Sequence, residues 1–246
     1  MSTHSWQAFD AHIRVLKQYL QISDLALNMV NKRLYRNIGN GKKIAQNLGS
    51  SVVRHMQLNI PTERVDIRRV MVTSRNKLHN QAIVDMYSIF SQYIADVIAE
   101  IQRKKPFAIL SAIPANSERS LKYDEIMRLG NYNAILSEIS KRIFRSLENE
   151  RSTIKLITKL IKTTQINVAQ DKIDNALLYL ELRHLIIHNN ACADTKFMKL
   201  NTSHVINVNA VNKKVILNYT TTNMAITSIF ILCKTIDDEI VRKGLV

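Results

Sequence analysis

An all-α fold is what this sequence predicts, and two observations predict it. Glycine and proline are scarce, five and three in 246 residues, whereas strand-rich folds need turns and turns favour those residues. Apolar residues also recur at alternating steps of three and four, which turns one face of a helix toward a core. At 46% hydrophobic the chain can bury one large core or two small ones.

Phe9, Ile13, Leu16 and Leu20 predict a first helix from about Ser5 into the thirties, ended by the breaker cluster Asn37-Ile38-Gly39-Asn40-Gly41. A second helix is expected over roughly Lys42 to Leu58. It is interrupted at Asn59-Ile60-Pro61, because the residue before proline avoids the helical region. The clearest helix covers Thr73 to Arg103, where Ile83, Tyr87, Phe90, Ile94, Val97 and Ile101 hold one apolar face. Asp85, Asp96 and Glu100 make its apolar stretch amphipathic rather than membrane-spanning. Lys104-Lys105-Pro106 ends it, and Ser111 to Ser120 reads as a loop excursion.

A long helix from Tyr132 to Lys162 follows, with Ile139, Ile143, Leu147, Ile154, Ile157 and Ile161 on its apolar side. Ile173, Leu177, Leu180 and Ile187 mark a helix over Val168 to His188. Two alternating stretches, His204 to Asn209 and Lys214 to Tyr219, predict a small β-hairpin within 204–219. A last helix runs from about Asn223 to Arg242. Residues 1–60 read as an N-terminal helical extension packing on a helical domain over 61–246.

Lysine and arginine total 35 against 20 acidic residues, a formal charge of +15. That favours a polyanionic partner, nucleic acid before membrane. Lys141, Arg145, Lys155 and Lys159 lie on the basic side of the long helix and are the candidate RNA-binding residues. Further basic clusters occur at Lys32-Arg33-Arg36-Lys42-Lys43 and Arg64-Arg68-Arg69. Two cysteines, Cys192 and Cys233, make neither a disulfide framework nor a zinc knuckle. The N-terminus lacks a basic region followed by an apolar one, so no signal peptide is expected and the cytoplasm is the expected location.

The most informative run is Glu181-Leu182-Arg183-His184-Leu185-Ile186-Ile187-His188-Asn189-Asn190. Histidine moves protons near neutral pH, and arginine stabilises a phosphate that gains charge. Together they suffice to cut RNA without a metal, because the 2′-hydroxyl of the substrate is the nucleophile. His188 is the candidate acid or base and Arg183 the phosphate holder; no cofactor is expected. At about 100° per residue the two project about 140° apart on a helix, flanking an apolar stripe. One helix then supplies half a site, and two copies related by a two-fold axis would complete it. His184 falls within the angular span of the stripe and is expected to lean toward the core.

Other constellations are weaker. His184 and His188, with Cys192 and His204 nearby, have zinc-like spacing but no accompanying HExxH glutamate. Gly39-Asn40-Gly41-Lys42-Lys43 lacks the full phosphate-loop pattern. Asp85 and Asp96 could share a helix face, each more simply facing solvent or a basic neighbour.

The wording from Leu182 to Phe197 resembles the signature helix of HEPN proteins, in particular the RiboL-PSP and related bacterial families. That signature is an Arg, a polar residue, and a His that leads into asparagines, a small residue, an Asp and an aromatic. Here the positions read Arg183, His184, His188, Asn189, Asn190, Ala191 or Cys192, Asp194 and Phe197. One departure stands out: the small residue, usually glycine, is Ala or Cys. The resemblance is specific over about sixteen residues and architectural over the rest of 75–246. It implies an up-and-down helical bundle, usually a homodimer with a composite active site. It also implies a metal-independent endoribonuclease acting as a toxin or anti-phage effector, with an antitoxin or regulatory protein as a further partner. Arg183 and His188 would be catalytic, with His184 and Asn189 in support. The alternative is a non-catalytic helical module that binds RNA or docks a partner.

Overall fold

The computed structural model describes residues 2–36, 63–105, 121–148 and 153–246, with backbone alone at 143–148 and 153–156. The fold is all-α. Its elements are α1 (His4–Arg36), α2 (Arg64–Lys104), α3 (Tyr123–Leu129), α4 (Tyr132–Glu148), α5 (Thr153–Thr164), α6 (Gln170–His188) and α7 (Thr195–Leu200). The strands β1 (Asn207–Val208) and β2 (Val215–Ile216) follow, and α8 (Tyr219–Arg242) completes the order.

The 41-residue α2 is the central post, with α1, α4, α6 and α8 packed on it. By length and composition α2 is apolar enough to cross a membrane. Its apolar side nevertheless faces the chain's own core, since Ile83, Met86, Phe90, Tyr93, Ile94, Val97, Ile98 and Ile101 are all buried. α2 begins nine residues before the expected Thr73. Ile67 and Met71 extend its apolar face by two turns and close a small second cluster with Leu34 of α1.

Long-range hydrogen bonds fix the directions. Ser5 Oγ donates to Glu100 at 2.6 Å, and Arg75 donates to Asp24 at 3.2 Å, so α1 runs antiparallel to α2. Tyr93 Oη donates to the Cys233 carbonyl at 3.0 Å, and Thr222 Oγ1 lies 3.2 Å from His79 Nδ1, so α8 runs parallel to α2. Lys172 near the start of α6 donates to Thr235 late in α8 at 3.0 Å, and Ala191 just past α6 accepts from Val215 N just ahead of α8 at 2.9 Å, so α6 runs antiparallel to α8. The His188 end of α6 therefore lies at the end of the bundle where α8 begins.

α1 is tied into the main core, not laid over it. Trp6, Phe9, Ile13, Leu16 and Leu20 are buried in the same cluster as α2, α6 and α8. Its first turn is held by Asp237, which accepts from Thr3 N at 3.3 Å and from Thr3 Oγ1 at 2.5 Å. Burial pushes the Asp237 carboxyl above its usual range, against those hydrogen bonds. A carboxyl raised on folding stabilises the fold below its unfolded pKa and loses that contribution as pH climbs through the folded value. Asp237→Asn keeps an acceptor for Thr3 and removes the charge. Its melting temperature is therefore expected to match or exceed wild type at pH 7, with the advantage vanishing by about pH 4; a lower value for the variant at pH 7 refutes this.

The expected hairpin is present, Asn207 opposite Ile216 and Val208 opposite Val215. α8 starts at Tyr219, four residues before the expected Asn223, because Asn218 caps it by accepting from Thr221 N at 2.8 Å. The expected helix over Tyr132 to Lys162 is helical at α4 and α5. The helix expected at Lys42 to Leu58, the Gly39-to-Lys43 turn and the Ser111-to-Ser120 excursion lie outside the described residues. Two short helices escaped the periodicity: α3, closed by Gly130 at φ 70°, and α7, capped by Asp194.

Candidate active site

α6 is buried on nearly every side through its middle: Ala176 to Leu182 are all buried, and Leu185 is the last such residue. Beyond that level the helix emerges from the bundle. His184, Ile187 and His188, spaced three and four apart, are exposed together on its final turn.

His184 is the correction. Its side chain is exposed, and its ring centroid lies 5.0 Å from that of His188, the planes inclined at 45°. The angular count placed it toward the core, but the partners that make a core end at Leu185. The core stripe does not reach the side of the last turn on which His184 sits.

Arg183 is half-buried, and its guanidinium carbon stands 5.1 Å from the centre of the Tyr87 ring on α2. Tyr87 is itself backed by Phe90, with ring centroids 6.4 Å apart. A guanidinium over an aromatic face is held by the ring quadrupole while its N–H edges stay available. Tyr87 was legible as part of the apolar face of α2, but nothing local in the sequence joins it to Arg183. Glu181 does not pair with Arg183. It is buried and accepts from Lys196 Nζ of α7 at 2.8 Å.

The turn after the helix is tightly built. Asn189 N and Ala191 N both donate to the Leu185 carbonyl, at 3.0 and 2.8 Å. Asn189 Nδ2 donates to the Cys192 carbonyl at 2.6 Å, so this side chain shapes the turn beside the histidines. Asn190 and Ala191 follow with φ of 51° and 59°. That left-handed region suits asparagine and glycine and strains alanine by about 1 kcal/mol. A glycine would meet without strain the backbone demand that Ala191 meets here. Val215 N donates to the Ala191 carbonyl at 2.9 Å, pinning the turn to the hairpin. Asp194 and Phe197 have structural duties: Asp194 accepts from Phe197 N at 2.7 Å, and the Phe197 ring is buried.

The basic candidates spread over two helices. Lys141 is exposed on α4 and Lys159 half-buried on α5, while the side chains of Arg145 and Lys155 lie outside the described residues. Asp85 and Asp96 accept from Gln81 and Gln92 on their own helix, at 2.7 and 2.8 Å. Among the described residues no three His, Cys, Asp or Glu side chains converge as metal ligands.

The exposed turn therefore offers two adjacent imidazoles, which can accept and donate protons, and a clasped guanidinium one position before the first of them. No family model, no curated protein and no solved structure matches this chain.

Proposed function

We propose that the chain is a metal-independent endoribonuclease of HEPN type, with its site on the last turn of α6. The observation that carries this reading is the exposed His184/His188 pair next to an Arg183 held on Tyr87. The resemblance from Leu182 to Phe197 supports the same reading.

In this reading His188 takes the proton of an RNA 2′-hydroxyl as its oxygen attacks the adjacent phosphorus. The bond to the 5′-oxygen breaks, and that oxygen takes a proton from the neighbouring His184. The products are a 2′,3′-cyclic phosphate and a free 5′-hydroxyl. Arg183 holds the phosphate oxygens as their charge grows. Each chain then brings an Arg183, a His184 and a His188, and in the homodimer that the resemblance implies two such turns line one composite cleft. The net charge of +15 draws the RNA. By the same resemblance the nuclease is a cytoplasmic toxin or anti-phage effector restrained by an antitoxin or regulatory protein.

The test is cleavage in excess EDTA of a ribo-oligonucleotide and of its all-deoxy counterpart. RNA cut to cyclic-phosphate ends, with DNA intact, is the expected result. RNA bound in a salt-sensitive way but left whole would instead make this a non-catalytic binding module.

A further inference from the structure

A pocket of about 390 Å³ opens between the C-terminal half of α1, the N-terminal half of α2 and the start of α8, lined by Asp24, Arg75, His79, Tyr219 and Thr220 among others. That volume is in the range of small-molecule sites. One wall is a histidine that the core leaves half-satisfied. His79 is 2% exposed, yet among the described residues only its Nδ1 has a hydrogen-bond partner, Thr222 Oγ1 at 3.2 Å. Nε2 stands 3.8 Å from Asp24 Oδ1, beyond hydrogen-bond reach. Burial lowers the His79 pKa, with Asp24 opposing and Arg75 adding to the effect, so the ring is neutral at pH 7 and carries one donor and one acceptor. The carboxylate beside Nε2 favours the proton there, with the Thr222 hydroxyl donating to Nδ1. Arg75 repeats the pattern. Its Nη2 donates to Asp24 at 3.2 Å and to Asn28 at 2.5 Å, while its Nε is buried with no partner. Buried polar groups are paired almost everywhere in a folded chain, so two open ones in one pocket mark a place for the polar edge of a ligand.

The charges choose among ligands. Asp24 and Arg75 offset each other and His79 is neutral, so the pocket favours a neutral group over a phosphate. Asp24 offers an acceptor. Arg75 and His79 offer donors, and so do the N–H groups of Tyr219 and Thr220, which begin α8 and have no intrahelical partner. The Tyr219 ring supplies a surface on which a flat heterocycle can stack. Guanine alone among the RNA bases sets two N–H donors and a carbonyl on one edge, the counterpart of a carboxylate beside a cluster of donors.

The pocket also lies near the histidine turn. It sits where α8 begins, at the His188 end of α6. Val215, whose N–H is bonded to Ala191, precedes Asn218 in the pocket wall by three residues, about 10 Å of extended chain at most.

We propose that, given a nuclease site on the last turn of α6, this pocket seats a guanine base of the same RNA strand, its N–H edge on Asp24 and its carbonyl toward His79 Nε2 and Arg75. Calorimetry with the four ribonucleoside 5′-monophosphates in EDTA reads the pocket without cleavage. Guanosine monophosphate is expected to bind at least about tenfold tighter than the other three. Its titration is expected to move the NMR signals of the His79 ring and to leave in place those of His12, about 18 Å along α1 from Asp24. Asp24→Asn keeps an acceptor for Arg75 and loses the charge, so circular dichroism is expected to show it folded and calorimetry to show the preference for guanosine lost. An RNA with a single guanosine is expected to be cut beside it by wild type, and less selectively by Asp24→Asn. Equal affinity for the four nucleotides, or binding that leaves the His79 signals unmoved, overturns the proposal and leaves the nuclease reading standing. Guanosine monophosphate bound while cleavage ignores guanosine makes this a pocket for a free nucleotide and overturns the subsite. RNA left whole while that nucleotide still binds ends the nuclease reading, and the subsite with it, and leaves a guanine pocket.

Discussion

His188→Ala is expected to lower the rate of RNA cleavage in EDTA by about 10²–10⁴-fold, the range for removing a positioned general acid or base. The side chain sits on the exposed last turn of α6 beyond the last buried residue, Leu185, so the fold is expected to survive the change. His184→Ala is expected to cost a comparable factor, because its ring, 5.0 Å away, is the other proton carrier. The two histidines should also respond differently to substrate. An RNA whose 5′-oxygen is replaced by a better leaving group no longer needs protonation there, so it should rescue His184→Ala and not His188→Ala. Arg183→Ala is expected to cost about 10²–10³-fold, as removal of a transition-state charge stabiliser does. Arg183→Lys should recover little, since lysine offers neither the fork nor the plane that lies on Tyr87. Single-turnover cleavage with circular dichroism on each variant decides the matter, and a His188→Ala chain that cuts at the wild-type rate ends the nuclease reading.

Phe9→Ala is expected to destabilise the chain by about 3–5 kcal/mol, a large part of the 5–15 kcal/mol that holds a typical domain. The ring is 2% exposed. It sits among Trp6 at 5.5 Å, Tyr93 at 5.0 Å and Phe230 at 6.4 Å between centroids, joining α1 to α2 and α8 at once. Truncation leaves a cavity between three helices that are also tied by Thr3–Asp237 and Ser5–Glu100, so collapse into the space is restricted. Val15→Ala, two turns along the same helix but 64% exposed, is expected to change stability by less than about 0.5 kcal/mol. Urea denaturation of both variants at low protein concentration reads the contrast, and equal losses would mean that α1 is not anchored by its Trp6–Phe9 face.

What could be read from the chain divides along physical lines. Helical periodicity is a local signal wherever one face is buried for several turns, which is why α1, α2, α6 and α8 were legible. Boundaries were less so. Asn218 caps α8, and Ile67 and Met71 carry α2 back to Arg64, through contacts that a count of apolar steps does not weigh. α3 and α7 are too short to show a period. At the site, the Arg183/His188 pair was visible as residue types at a spacing. The exposure of His184 was not, because an angular count assumes that a helix is covered along its whole length. The clasp of Arg183 by Tyr87 joins residues nearly a hundred positions apart, and no sequence window contains both. The φ of 59° at Ala191 was likewise hidden, since nothing in the neighbouring residues announces a left-handed alanine.

The hydrogen bond from Thr3 to Asp237 spans 234 positions. A ribosome makes α1 long before it makes the helix that completes its anchorage. Trp6 and Phe9 then have part of their final company in α2, but Phe230 and Asp237 arrive only with α8. Closure of the core is thereby delayed until α8 is out, and long-range closure of this kind is slow and exposed to wrong pairings while it waits. A product truncated before α8 would keep the Arg183-to-His188 run and lack the scaffold that seats it, so translation itself would withhold a seated site until α8 is made.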